Sequence, residues 1–241
     1  MRAEGDSMSD VLASRLLSVR DGLCAALNRE HPAVIVEKET DLLMGALAFA
    51  LTQAKTAKSV ASVFGIDIPL NAPSGKEFTE NFATTIANRI AVPAAWLTPA
   101  QAVNALLVLP HEYQHVKQHN DGVKAGKWPK ALTHSVLYLA GVVAHTPDGE
   151  EYVAKVEGDA YAVTESIRKF LSGSCAPIDN PLASIRRSYN LLGLGPAMAE
   201  DVLRSHYATM ESGGIPNVWA ARVCNDWLRA NAADLEGKVA A

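Results

Sequence analysis

Three histidines stand four residues apart in "LPHEYQHVKQHN", residues 109–120: His111, His115 and His119, with Glu112 inside the first gap. On a helix, residues i and i+4 share a face one turn apart, so His111 and His115 can aim both imidazoles at one metal ion. His119 lies eight residues from His111. That is a rise of roughly 12 Å, too far for a single coordination sphere with bonds of ~2 Å. It reads as a helix-end residue favoured by the helix dipole. Glu112 is too short to bind beside both histidines, but it can reach a water on the ion. This is the division of labour in HExxH: two ligands and a general base, with the metal lowering the pKa of the attacking water.

A catalytic zinc site takes three protein ligands and keeps one position open, so a third donor is required. Two completions compete. The three-histidine pattern HExxHxxGxxH would need glycine at 118 for a sharp turn and a ligand at 121. The chain has Gln118 and Asp121 there, leaving Asp121 as an oxygen ligand on that route. The other completion is a glutamate from a later helix. "KVEGDAYAVTE" supplies it in Glu157, followed by Ala160 and Tyr161.

An HExxH followed at about this distance by E-x-x-A-[D/N]-x-x-A resembles the gluzincin metallopeptidases, over roughly residues 80–168. The resemblance implies a zincin-like core in which His111, His115 and Glu157 hold Zn2+, with Glu112 as general base acting on a peptide or protein substrate. The stretch "TTIANRIAVP" looks like the edge strand by which such enzymes hold an extended substrate through backbone hydrogen bonds. Tyr161 departs from the pattern. Many gluzincins carry an acid there that accepts a hydrogen bond from a zinc-bound histidine. With tyrosine, either that support is weaker or a backbone carbonyl supplies it. Asp159 does not restore the pattern, because two residues along a helix point it away from the face of Glu157.

A tetrahedral intermediate needs an oxyanion donor besides the ion. His206 and Tyr207 in "LRSHYATM" follow the third ligand in chain order and are the candidates, with Tyr152, Tyr189, His134 and His145 behind them. Two other functions compete with a peptidase: a non-catalytic zincin-like domain that binds metal or a partner, and a metal amidase acting on cell-wall material.

Several elements must position these residues. Val11, Leu12, Leu16, Val19, Leu23 and Leu27 recur at helical spacing and predict a first helix over residues 9–29. "VEKETDLLMGALAFALTQAKTAKSVASVF" predicts one or two further helices, and "GIDIPLNAPSG" a loop. "KEFTENFATTIANRIAVP", with Phe82, Thr84, Ile86, Asn88, Ile90 and Val92 alternating, gives the best strand or hairpin signal. Thr98, Pro99 and Gln101 suggest a capping box opening the active helix. Pro110 either kinks that helix or starts a new one, and Asn120 and Gly122 end it. "PKALTHSVLYLAGVVAH" predicts an apolar helix, and Asp148 caps the helix that carries Glu157. On that helix Val153, Val156, Ala160, Val163 and Ile167 form a core stripe with Glu157 at its border. Glu150, Glu151 and Glu165 read as solvent-facing.

The expected fold is α+β and predominantly helical, one zincin-like domain over residues 1–241 with a small sheet. Within it, 1–75 form N-terminal helices, 76–170 the edge strand, active helix and third-ligand helix, and 171–241 C-terminal helices. With 49% hydrophobic residues the chain has ample material for one core. A net charge of -4, with Lys and Arg scattered, excludes a nucleic-acid footprint and gives no basic face for a membrane surface. Cys24, Cys175 and Cys224 are odd in number and far apart, so they read as free thiols in a reducing compartment. The polar N-terminus "MRAEGDSMSD" lacks an apolar secretory core, and no apolar run nears the ~20 residues of a spanning helix. A soluble, cytoplasmic protein is expected.

Overall fold

The computed structural model describes residues 8–49, 52–53, 74–124, 147–189 and 195–239. Helix α1 (Met8–Asn28) buries Leu16, Val19, Leu23 and Leu27, the i, i+3, i+4 stripe expected of it. Strand β1 (Val34–Glu37) follows. Residues 42–49 are helical behind Asp41, whose Oδ1 accepts from the N–H groups of Leu43 and Met44 at 3.0 and 3.1 Å. Next come α2 (Gly75–Asn81) and the hairpin of β2 (Thr84–Ile86) and β3 (Arg89–Val92). Two 3₁₀ turns lead into α3 (Ala102–Lys124). Four helices complete the described chain: α4 (Pro147–Ser172), α5 (Asp179–Tyr189), α6 (Gly195–Glu211) and α7 (Trp219–Asn231). The fold is thus mostly helical with one small sheet, and none of the described helices is long and apolar enough to cross a membrane.

The sheet order is β1-β3-β2, with β1 parallel and β2 antiparallel to β3. Val34 N–H donates to Asn88 and Lys38 N–H to Val92, so the even-numbered residues of β3 turn their backbone groups toward β1. Arg89 and Ala91 therefore face β2 and pair with Ile86 and Thr84. Opposed residues of an antiparallel pair alternate between bonded and unbonded, so Thr85 turns its N–H and C=O away from β3.

Several local readings change: α3 runs through Asn120 and Gly122 to Lys124, and Asp148 lies inside the first turn of α4 rather than capping it. Val36 and Glu37, read into a helix, belong to β1, because pairing with β3 some fifty residues on outweighs local preference. "KEFTEN", read with the strand, is helix α2. Ser74 accepts from Glu77 N–H at 3.2 Å while Glu77 Oε2 accepts from Ser74 N–H at 2.7 Å, a closed capping box. At Thr98 the expected box does not form; its hydroxyl donates back to Ala95 C=O at 2.7 Å, and Pro99 opens a 3₁₀ turn before α3. Pro110 lies inside α3 rather than starting a helix. The predicted helix over 129–145, with His134 and His145, lies outside the described residues, as does most of "GIDIPLNAPSG".

Two cores flank α4. The larger joins α1, the sheet, α3 and α7 to Val163, Ile167 and Phe170 of α4. The smaller packs Val153 and Ala154 against Leu182 and Ile185 of α5 and Ala199 and Leu203 of α6. At the end of α4, Phe170 and Leu171 carbonyls accept from Gly237 and Val239 N–H, so the C-terminal segment satisfies helix-end acceptors.

Immediately beside Glu157, Gly158 lets α6 approach closely: a Cβ there would lie 2.5 Å from Val202 Cγ1 and 3.1 Å from Val202 Cβ. Gly158→Ala gains up to ~1 kcal/mol of helix propensity but incurs ~1–3 kcal/mol of overpacking. We expect net destabilisation in urea unfolding, relieved when Val202→Ala is added in the same chain.

Candidate metal centre

The residues between the two histidines hold α3 in place. Tyr113, with no exposed surface, donates its hydroxyl to Asn28 Oδ1 at 2.8 Å and so ties α3 to α1. Gln114, also buried, accepts from Ala220 N–H at 3.3 Å and caps the first turn of α7. With those side chains turned into the core, His111 and His115 face α4.

Contacts between α3 and α4 climb one helix while descending the other, from Leu107–Thr164 through His111–Thr164 and His115–Glu157 to Gln118–Val156. This antiparallel seam brings the carboxylate of Glu157 between the rings. His111 Nε2 lies 3.7 Å from Glu157 Oε2 and His115 Nε2 lies 3.5 Å from Oε1. Tetrahedral ligands on bonds of 2.0–2.1 Å would stand about 3.4 Å apart, so two nitrogens and a carboxylate at these distances suit a divalent cation. The three ligand atoms all lie within 4.8 Å of one another, a group that could hold a metal ion. Glu157 has no exposed surface, and the imidazoles are about one-tenth exposed.

Each histidine is also held at its other nitrogen. His115 Nδ1 lies 2.9 Å from Gln118 Oε1, and His111 Nδ1 3.3 Å from Thr164 Oγ1. The two rings meet edge to face with centroids 5.0 Å apart, and Tyr161 stands edge-on to His111 at 4.9 Å. Tyr161 thus walls the site, while Thr164, one turn further on, takes the position beside Nδ1. Burial alone would push the His111 imidazole down, but the hydrogen bond it donates to the Glu157 carboxylate and the charges of Glu112 and Glu157 outweigh it, and the net direction is up. A buried imidazole that gains proton affinity marks a place that favours positive charge.

Glu112 is buried beside the cluster, and its Oε2 accepts from the Thr85 hydroxyl at 2.7 Å. The edge strand β2 therefore touches the expected base directly. On the opposite face of the sheet, buried Lys38 donates to Phe82 C=O at 2.9 Å and to Thr84 Oγ1 at 2.7 Å. Desolvation pushes the Lys38 ammonium down to about 8, with the charges of Glu112 and Glu39 opposing.

Other expected residues go elsewhere. His206 Nε2 pairs with Asp159 Oδ1 at 2.9 Å, and Asp159 lies two residues, about 200° of helix, beyond Glu157. Tyr207 sits in the smaller core and donates to Ala176 C=O at 3.0 Å. Neither is brought to the cluster, because α6 packs on the side of α4 facing away from α3. Asp121 is half-exposed and paired with Lys117, so it takes no part either. Tyr152 is half-buried on α4; the Tyr189 side chain is outside the described residues. Glu150 and Glu165 are buried, not solvent-facing: Glu150 accepts from Gly195 N–H at 3.2 Å and Glu165 from Ala176 N–H at 2.7 Å. Glu151 is exposed as expected, and Cys24 and Cys224 are buried free thiols.

Thr85, Thr164 and Lys38 were not singled out from the sequence, and Gln118 was named only for standing where the three-histidine pattern has glycine. The only local signal was for Gln118, three residues beyond His115 and so within reach of its ring. Comparisons with protein-family models, curated proteins and solved structures match nothing.

Lys38 gives a testable pH dependence. Its folded value, about 8, lies below the ordinary 10.5. Between those pH values the unfolded chain holds more protons, so the stability contributed through Lys38 rises as pH climbs from about 8 toward 10.5. Urea unfolding of wild type and Lys38→Met across that range should show the wild type gaining relative to the variant; a constant difference would contradict the burial of a strained ammonium.

Proposed function

We propose that the chain is a zinc-dependent hydrolase, a metallopeptidase of gluzincin type with a zincin-like core. His111, His115 and Glu157 would hold the ion, and Glu112 would act as general base. The observation that carries this proposal is the convergence of two helical imidazoles with a carboxylate from a different helix, at 3.5 and 3.7 Å, beside Glu112. Zinc is favoured over calcium or magnesium because two of the three donors are imidazole nitrogens, which the harder cations avoid.

Bound there, zinc would supply Lewis acidity, lowering the pKa of water and polarising a carbonyl oxygen. The rest falls to the chain itself. Glu112 takes the proton of the attacking water and returns it to the departing amine as the peptide bond breaks. Thr85 holds that carboxylate from the edge strand at 2.7 Å. The outward N–H and C=O of Thr85 suit an extended peptide laid antiparallel or parallel along β2, which would set a scissile carbonyl beside the base. No oxyanion donor is assigned among His206 and Tyr207, whose polar atoms are engaged with Asp159 and Ala176.

Zinc content and cleavage of a broad peptide library should separate ligand from base. Glu112→Gln should retain one zinc per chain and lose roughly 10²–10⁴ in kcat/KM, the usual loss on removing a general base. Glu157→Gln should lose the metal itself. A wild type that binds zinc stoichiometrically yet cleaves nothing would leave a metal-binding protein and remove the enzyme.

A further inference from the structure

We propose that Gln118 is a positioning residue for the metal centre: its side-chain amide sets the tautomer of His115 and ties that ring to the helix carrying Glu157. This role rests on the metal site proposed above, but falls to a residue that HExxH does not specify.

The deduction starts from a group that can only accept. The Val156 carbonyl has no proton to give, so at 3.1 Å it must face the NH₂ of Gln118. The flipped amide would set oxygen against oxygen. With Nε2 so committed, the amide oxygen faces His115 Nδ1, 2.9 Å away. That oxygen also only accepts, so Nδ1 carries the proton. The bare nitrogen of His115 is then Nε2, the atom 3.5 Å from Glu157 Oε1. In water a neutral histidine favours the opposite tautomer; here the partner of one ring nitrogen decides the state of the other.

The same logic repeats at His111 with longer contacts. The single hydroxyl proton of Thr164 is directed at Leu107 C=O, 3.5 Å away, so its oxygen turns a lone pair to His111 Nδ1 at 3.3 Å. Gln118 makes the shorter contacts and links a ligand ring on α3 to the backbone next to the ligand on α4. In the neutral form of each ring, the nitrogen turned toward Glu157 is therefore the unprotonated one. The supports are neutral, so they orient the rings without adding charge to the site.

The tautomer is readable without metal or substrate. In a long-range 1H–15N correlation spectrum of metal-free protein, at a pH where the ring is neutral, His115 should appear as the Nδ1–H form. Gln118→Met keeps the side-chain length but neither donates nor accepts effectively, and should shift His115 toward Nε2–H. In competition with a chromophoric chelator, zinc affinity should fall ~10–100-fold in Gln118→Met. Gln118→Glu, which restores an acceptor opposite Nδ1, should regain affinity relative to Met. An Nε2–H form in the wild type, or a Gln118→Met chain with unchanged tautomer and zinc affinity within twofold, would overturn the proposal. A wild type that takes up no zinc sinks the metallopeptidase, and the tautomer spectrum then decides the role of Gln118 by itself.

Discussion

The Glu157 carboxylate sets the terms for everything around it. A carboxylate with no exposed surface has left water, and only nearby donors or positive charge can offset that loss. The two imidazoles of α3 face it at under 4 Å, and this meeting fixes the register of the α3–α4 seam. A slip of one residue on α4 would rotate the carboxylate by about 100° and bury it against aliphatic neighbours. The apolar stripe Val156, Ala160, Val163 and Ile167 guards against that slip, because the same rotation would take these side chains out of their packing. Packing and polar placement therefore enforce one arrangement.

Much of the centre was legible because helical geometry is local. Four residues between His111 and His115 put both rings on one face, and Glu157 at the border of a buried stripe aims toward a neighbouring helix rather than toward water. Where the structure differs, the deciding partner is distant in sequence. Glu165 looked solvent-facing, yet Ala176 N–H eleven residues away claims it; Glu150 is claimed by Gly195. His206 and Tyr207 came after the third ligand in chain order, but order along the chain says nothing about which side of α4 receives α6. Strand β1 was hidden for the same reason: its four residues take their identity from β3. The small sheet's hairpin, by contrast, was readable because both of its strands and its turn lie within nine residues, Thr84–Val92.

Gln118 illustrates how one residue can be misread from a motif. Its presence excludes the glycine turn of the three-histidine pattern, and on that ground alone it looks like a defect. In space it reaches back one turn to His115 and across to Val156, a span that glycine could not make. The helix continues through position 118, and the carboxylate that meets the two rings comes from α4.

Charge arithmetic explains why the supports can be neutral. A divalent ion among two neutral imidazoles and one carboxylate would leave a net charge of +1, and an ionised Glu112 beside it would bring the sum to zero. An additional aspartate at position 161, the acid of the resembled pattern, would leave an excess negative charge in a buried place, where uncompensated charge is costly. Tyr161 avoids that excess while its ring walls the cluster, and Thr164 takes over the contact to His111. Lys38, on the far face of the sheet, adds positive potential felt by Glu112 without entering the cluster. The substitution at 161 is thus consistent with the rest of the site: a carboxylate is absent where the neighbouring charges leave no need for one.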